Sequence, residues 1–206
     1  MPVPFDYPTA HHVRRHWPLG YAEYRAFKPW LRDEFTFRCV YCLHRERWQP
    51  RGSDYFGVEH ILPKSSHPSL ECEYENLLYA CNGCNSCRQD DSITLDPCGD
   101  VLARHLLVED DGTIRGLTTD GMRLIQILRL DRNELTTFRG WYLETVAELR
   151  RSASADAPRL LAQLLSFPDD LPNLASLNPP AGNGLSAGVR ESAYELRLLG
   201  RLPSTY

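Results

Sequence analysis

Val58-Glu59-His60-Ile61-Leu62-Pro63 lies between two cysteine pairs, Cys39-x-x-Cys42 and Cys81-x-x-Cys84, and Asn85 follows the last cysteine directly. Four thiolates in two C-x-x-C pairs are the donor set of a closed tetrahedral zinc site, which would tie together the ends of the intervening segment. Zn²⁺ in that reading is scaffold, and the chemistry belongs to Glu59-His60. Histidine titrates near neutrality and suits the deprotonation of a water. A hard Mg²⁺ or Mn²⁺ prefers oxygen ligands and keeps several waters, so one carboxylate from Glu59 and one amide oxygen from Asn85 would hold it and leave room for a phosphate. A catalytic imidazole also needs its second nitrogen held, by a backbone carbonyl or by an Asn side chain such as Asn76.

Each residue has a plainer reading. A single C-x-x-C is often a pair of buried thiols, an isolated histidine is usually a core or surface residue, and Asn76 and Asn85 alone would be turn or cap residues. Two pairs flanking Glu-His-x-x-Pro are more specific than any one of these signals. Cys72, Cys87 and Cys98 are left over; Cys87 stands at ligand spacing from Cys84, but a buried thiol is the reading adopted for it. His11, His12 and His16 read as solvated polar residues.

The segments Trp30-Leu31-Arg32-Asp33-Glu34-Phe35, Cys39-Val40-Tyr41-Cys42, Val58 to Ser65, Asn76-Leu77-Leu78 and Cys81-Asn82-Gly83-Cys84-Asn85 together resemble the HNH endonuclease superfamily. More narrowly, they are similar to the McrA-like, retron-associated and Septu-type HNH proteins of phage defence. That resemblance implies a ββα-metal element holding one catalytic divalent ion, hydrolysis of phosphodiester bonds in DNA to 5′-phosphate products, and a protein partner such as an ATPase or reverse transcriptase. By position it places the acidic residue on Glu59, the general base on His60, the middle asparagine on Asn76 and the last metal-binding residue on Asn85. Lys64 and Arg88 would contact the substrate backbone, with Arg88 where the family often has lysine and Glu59 where aspartate is more usual. RNA as substrate stays open.

The chain has 206 residues, 42% of them hydrophobic, enough for a real core, and its seven cysteines fit reduced, zinc-bound thiols in the cytoplasm better than a disulfide framework. No apolar stretch is long enough to suggest a membrane span, and no signal peptide is visible. The net charge of −4 is unfavourable for gripping a polyanion alone. Binding would rely on local patches, Arg14-Arg15, Arg45-Arg47-Arg51 and Lys64 with Arg88, or on the partner.

The elements that must position the site follow from periodicity. Tyr21, Tyr24, Phe27, Leu31 and Phe35 recur at helical spacing, with Pro29 kinking the helix or starting a second one. Phe56 to His60 reads as a strand, Asn76 to Tyr79 as its return, and Asn85 to Gln89 as the start of a metal-holding helix. Asp111-Gly112 marks a second hairpin. Met122 to Arg129 suggests a helix, and Asp131 with Glu134 a capping box for another carrying Leu135, Phe138, Tyr142, Val146 and Leu149. Ser152 to Pro158 and Pro168 to Gly188 read as linker and loop, and Ser192 to Leu199 as a last helix.

The expected fold is α+β: a ββα-metal core with a Cys₄ zinc site, flanked by an N-terminal helix and a helical C-terminal region. The expected organisation is an N-terminal helical segment over 1–38, the nuclease core over 39–98, a β-hairpin and helices over 99–151, and a linker with a C-terminal helical appendage over 152–206. Two other classes are weighed beside a nuclease. A noncatalytic zinc-ribbon nucleic-acid-binding or adaptor protein would need the cysteines but not Glu59, His60 or Asn85, and a dithiol redox protein would need a βαβ context that the pairs lack.

Overall fold

A computed structural model describes residues 4–184, 189 and 191–206. The chain is mixed α/β, with two small antiparallel sheets and six α-helices among the described residues. Strands β1 (Phe56–His60) and β2 (Leu77–Cys81) pair antiparallel, with Phe56 opposite Cys81 and His60 opposite Leu77. Every residue of β2 is buried, so both faces of this ribbon are covered rather than one. Helix α2 (Asn82–Arg88) starts directly from Cys81, three residues earlier than the sequence suggests. Its first turn therefore carries Cys84 and Asn85. Asn76 sits in a short 3₁₀ turn before β2, not in the strand itself.

Helix α1 (Lys28–Glu34) has Pro29 in its first turn, where a missing N–H costs nothing, and a separate 3₁₀ turn, Tyr24–Phe27, precedes it. The helix ends on Asp33 and Glu34, which are poorly placed against the negative end of a helix dipole. The N-terminal segment compensates. His16 Nε2 lies 2.7 Å from an Asp33 oxygen and His12 Nε2 2.8 Å from Glu34, which also accepts from the Arg15 and His16 amides and the Tyr74 hydroxyl. His16 is thus buried, contrary to its reading as a solvated residue, because a carboxylate taken out of water needs a close donor.

Strands β3 (Leu106–Val108) and β4 (Ile114–Gly116) form the second hairpin around Asp111-Gly112. Gly112 has φ +86°, and a Cβ there would run into the backbone of Thr136 and Gly140 on helix α4 (Asn133–Arg151). The turn can dock on the helix only as glycine. Buried Arg139 fastens it, donating to the carbonyls of Gly112 at 2.6 Å and Leu130 at 3.0 Å. Helix α3 (Thr119–Leu128) is capped by the Thr118 hydroxyl, which accepts from the Gly121 amide. The expected capping box at Asp131 does not form, since Arg132 occupies the cap position and no side chain caps α4.

Helix α5 (Ala157–Leu165) begins inside the stretch read as linker, with Pro158 in its first turn. Helix α5 and the segment beyond it are hydrogen-bonded to residues of the N-terminal part of the chain. The Trp48 indole donates to the Leu164 carbonyl at 2.9 Å, Arg47 to that of Gln163 at 2.8 Å, and the first amide of helix α6 (Ala193–Leu198) to Asp33 at 2.7 Å. Of the loop expected over 168–188, residues 185–188 lie outside the described residues.

Candidate functional site

The cysteine pairs meet where two local structures abut. Cys39 and Cys42 lie on a tight turn, closed by the Leu43 amide donating to the Cys39 carbonyl at 2.9 Å and hung on β2 by the Val40 amide donating to Tyr79 at 3.0 Å. Cys81 ends β2 and Cys84 stands one helical turn on. Their four sulfurs all lie within 4.8 Å of one another, with Cys42 and Cys81 Sγ 3.6 Å apart, and all four residues are buried. Zinc–sulfur bonds of about 2.3 Å in a tetrahedron put neighbouring sulfurs roughly 3.8 Å apart, so this cluster fits a metal such as zinc. Mutual hydrogen bonding pushes the Cys42 and Cys84 thiols up and the Cys81 thiol down. Cys72, Cys87 and Cys98 are partly buried and stand outside the cluster, so Cys87 is less buried than the reading of it as a buried thiol expects.

One side chain near the cluster carries no sequence motif. Arg132 places its guanidinium 3.0 Å from where a Gly83 Cβ would be, between the two second-pair cysteines, while donating to the carbonyls of Leu128 and Arg129. Burial lowers its affinity for a proton, but the electrostatic influence of Cys84, Cys42, Cys87 and Cys81 more than offsets this and raises its pKa.

On the other side of α2, Glu59, His60, Lys64, Asn85 and Arg88 line one cleft of about 140 Å³. The strand pairing delivers Glu59 and His60, and α2 delivers Asn85 and Arg88. Glu59 is 6% exposed; its Oε1 accepts from the His60 amide at 2.7 Å and pairs with Arg88 at 3.2 Å, whereas its buried Oε2 has no hydrogen-bond partner among the described residues. Burial raises the Glu59 pKa, opposed by Arg88. A carboxylate oxygen and an amide oxygen are of the donor type that a hard cation prefers, and Glu59 and Asn85 bring one of each to the same cleft.

His60 Nε2 meets the Glu71 carbonyl at 3.0 Å. A carbonyl can only accept, so Nε2 carries the hydrogen and Nδ1 the lone pair. Burial lowers the His60 pKa, opposed by that same bond. Asn76 does not touch the imidazole. Its Oδ1 accepts from the Leu62 amide at 2.8 Å, and its Nδ2 donates to the carbonyls of Leu62 and Leu70 at 3.1 Å. These bonds close the segment that presents the Glu71 carbonyl.

Arg88 is 1% exposed and its guanidinium is occupied by Glu59, the carbonyls of His60, Ile61 and Asp91, and the Tyr41 hydroxyl. Lys64 is exposed, 3.3 Å from Glu71. The other basic clusters expected to face a polyanion are mostly committed inside the protein. Arg45 is buried over the rings of Trp48 and Tyr206, Arg14 donates to Glu75 and Leu77, and Arg15 pairs with Asp33. Tyr24, which sequence reading placed on a helix face, also lines the cleft, with its ring centroid 4.9 Å from that of His60. No periodicity or spacing distinguishes it from its core neighbours.

With this geometry in view, similarity to known proteins is narrow. The chain is 28% identical over 99 residues to the Septu protein PtuB of Bacillus thuringiensis. That match takes in 46% of this chain and 37% of the relative. No family model matches the chain. Among the described residues, no helix is long and apolar enough to cross a membrane.

Proposed function

We propose that the protein is a zinc-stabilised, Mg²⁺- or Mn²⁺-dependent HNH endonuclease that hydrolyses DNA phosphodiester bonds and acts in phage defence, with β1, β2 and α2 as its ββα-metal element. One observation carries this reading. Glu59 keeps a buried carboxylate oxygen without a partner in the same cleft as His60, whose tethered Nε2 leaves Nδ1 able to take a proton. Similarity to a Septu protein supports the defence role and a working association with a second protein, for which an ATPase or reverse transcriptase is the expected kind.

In this mechanism His60 accepts a proton from the attacking water at Nδ1, and the Glu71 carbonyl stabilises the resulting imidazolium through Nε2–H. Glu59 and Asn85 hold the divalent ion. Such an ion, when bound, screens charge on the phosphoryl and departing oxygens. Asn76 positions the base through the segment it closes, and Lys64 contacts the substrate backbone. Arg88 is reassigned from substrate contact to holding Glu59 and the end of β1, because every arm of its guanidinium is already engaged.

Incubating the zinc-loaded protein with plasmid and single-stranded DNA in Mg²⁺ or Mn²⁺ tests this. Cleavage that disappears with His60→Ala is expected; metal-dependent cleavage that survives it, or no cleavage with or without a partner, sinks the reading.

A further inference from the structure

Two exposed cations lie over the ring of Tyr24. Tyr24 stands on the 3₁₀ turn that packs against β1, half-buried at the mouth of the His60 cleft. Its ring meets His60 at a tilt of 59°, while the Lys64 ammonium lies 4.8 Å and the Arg25 guanidinium 5.2 Å from its centroid. Both cations are on exposed side chains, and the Lys64 pairing with Glu71 is itself solvent-exposed. Contacts of this kind are weak and easily exchanged for a phosphate. Elsewhere Arg14, Arg15, Arg45 and Arg88 are held by the protein's own carbonyls, carboxylates and rings, whereas Lys64, which lines the cleft, and Arg25, over the Tyr24 ring, are exposed.

We propose that Tyr24, Lys64 and Arg25 form a nucleotide-binding lip for single-stranded DNA: the two cations take backbone phosphates and the tyrosyl ring stacks with one base. A base within a duplex is already stacked on both faces, so the lip selects a strand that is single or locally opened. This rests on the hydrolytic reading of the adjoining cleft and adds its substrate class. The ring places a base beside His60, so that the neighbouring phosphate lies toward the position where Glu59 and Asn85 would hold the ion.

The experiment uses the full zinc-loaded chain in magnesium- and manganese-free buffer, with a fluorescein-labelled 12-nucleotide strand and the same sequence as a duplex. The strand should bind more tightly than the duplex, Tyr24→Ala should weaken strand binding about ten- to hundredfold, and Tyr24→Phe should restore it. A strand carrying 2-aminopurine should lose fluorescence on binding as that base stacks on the ring, which decides the matter even if Tyr24→Ala fails to fold. Duplex and strand bound equally well, with no change in Tyr24→Ala or no quenching, would overturn the lip and leave the nuclease reading standing. No binding of either DNA would overturn the lip, whereas the nuclease reading falls separately, on the absence of metal-dependent cleavage with and without a partner.

Discussion

His60 and Glu71 are joined by a 3.0 Å hydrogen bond from the imidazole Nε2 to a backbone carbonyl, eleven residues away in the chain. The partner is main chain, so no substitution at Glu71 removes it directly. The bond depends instead on the path of the loop between β1 and β2, which Asn76 closes through three hydrogen bonds.

His60→Ala should retain zinc and fold while cleaving DNA roughly 10²–10⁴-fold more slowly. Single-turnover rates at matched zinc content check this. Asn76→Ala should slow the same step by a smaller factor and increase amide exchange through residues 62–71, measured by hydrogen exchange.

Glu59→Ala and Asn85→Ala should shift the Mg²⁺ or Mn²⁺ concentration needed for half-maximal cleavage upward, with excess Mn²⁺ partly restoring activity. Unchanged metal titrations in both variants would remove these residues from ion binding.

Purified protein should hold about one zinc per chain, and Cys39→Ser or Cys81→Ser should release it and unfold the β1–β2–α2 region, since structural zinc contributes on the order of 10 kcal/mol in small domains. Cys72→Ser and Cys98→Ser should be mild. Elemental analysis with circular dichroism reads both effects.

Arg132→Gln should weaken zinc retention about 10–100-fold against a competing chelator, with Arg132→Lys intermediate, because the guanidinium offsets the thiolate charge around Gly83. Equal zinc release from parent and variant would show that Arg132 serves only the junction of α3 and α4.

Glu34 supplies a pH dependence. Burial opposes its ionisation, but hydrogen bonds from His12 and the Arg15 amide win and hold its pKa below the usual glutamate value. The unfolded chain therefore binds this proton first as pH falls. The stabilisation is fully present above about pH 4.5 and is lost as pH falls through the lower folded value. Glu34→Gln should lower Tm at pH 7 and flatten its decline below that range, as read by thermal melts across pH.

The sequence by itself determined that four cysteines at two matched spacings would converge, that Glu59-His60 would end a strand, and that Asn85 would follow on a helix. Such features are local: chain connectivity and strand alternation place neighbours in sequence on known faces, whatever surrounds them. It did not reveal what each long side chain would reach. Arg88 and Arg45 look like surface cations beside other cations, yet both are buried, because a guanidinium that finds carbonyls, carboxylates or aromatic faces can leave water. Asn76 was recognisable by position, but its three partners lie across a loop whose course no spacing specifies. Tyr24 and Arg132 bear on the cleft and the cysteine cluster only because a 3₁₀ turn and the cap of α4 fold against them, and contacts between distant segments are set by how the whole core packs.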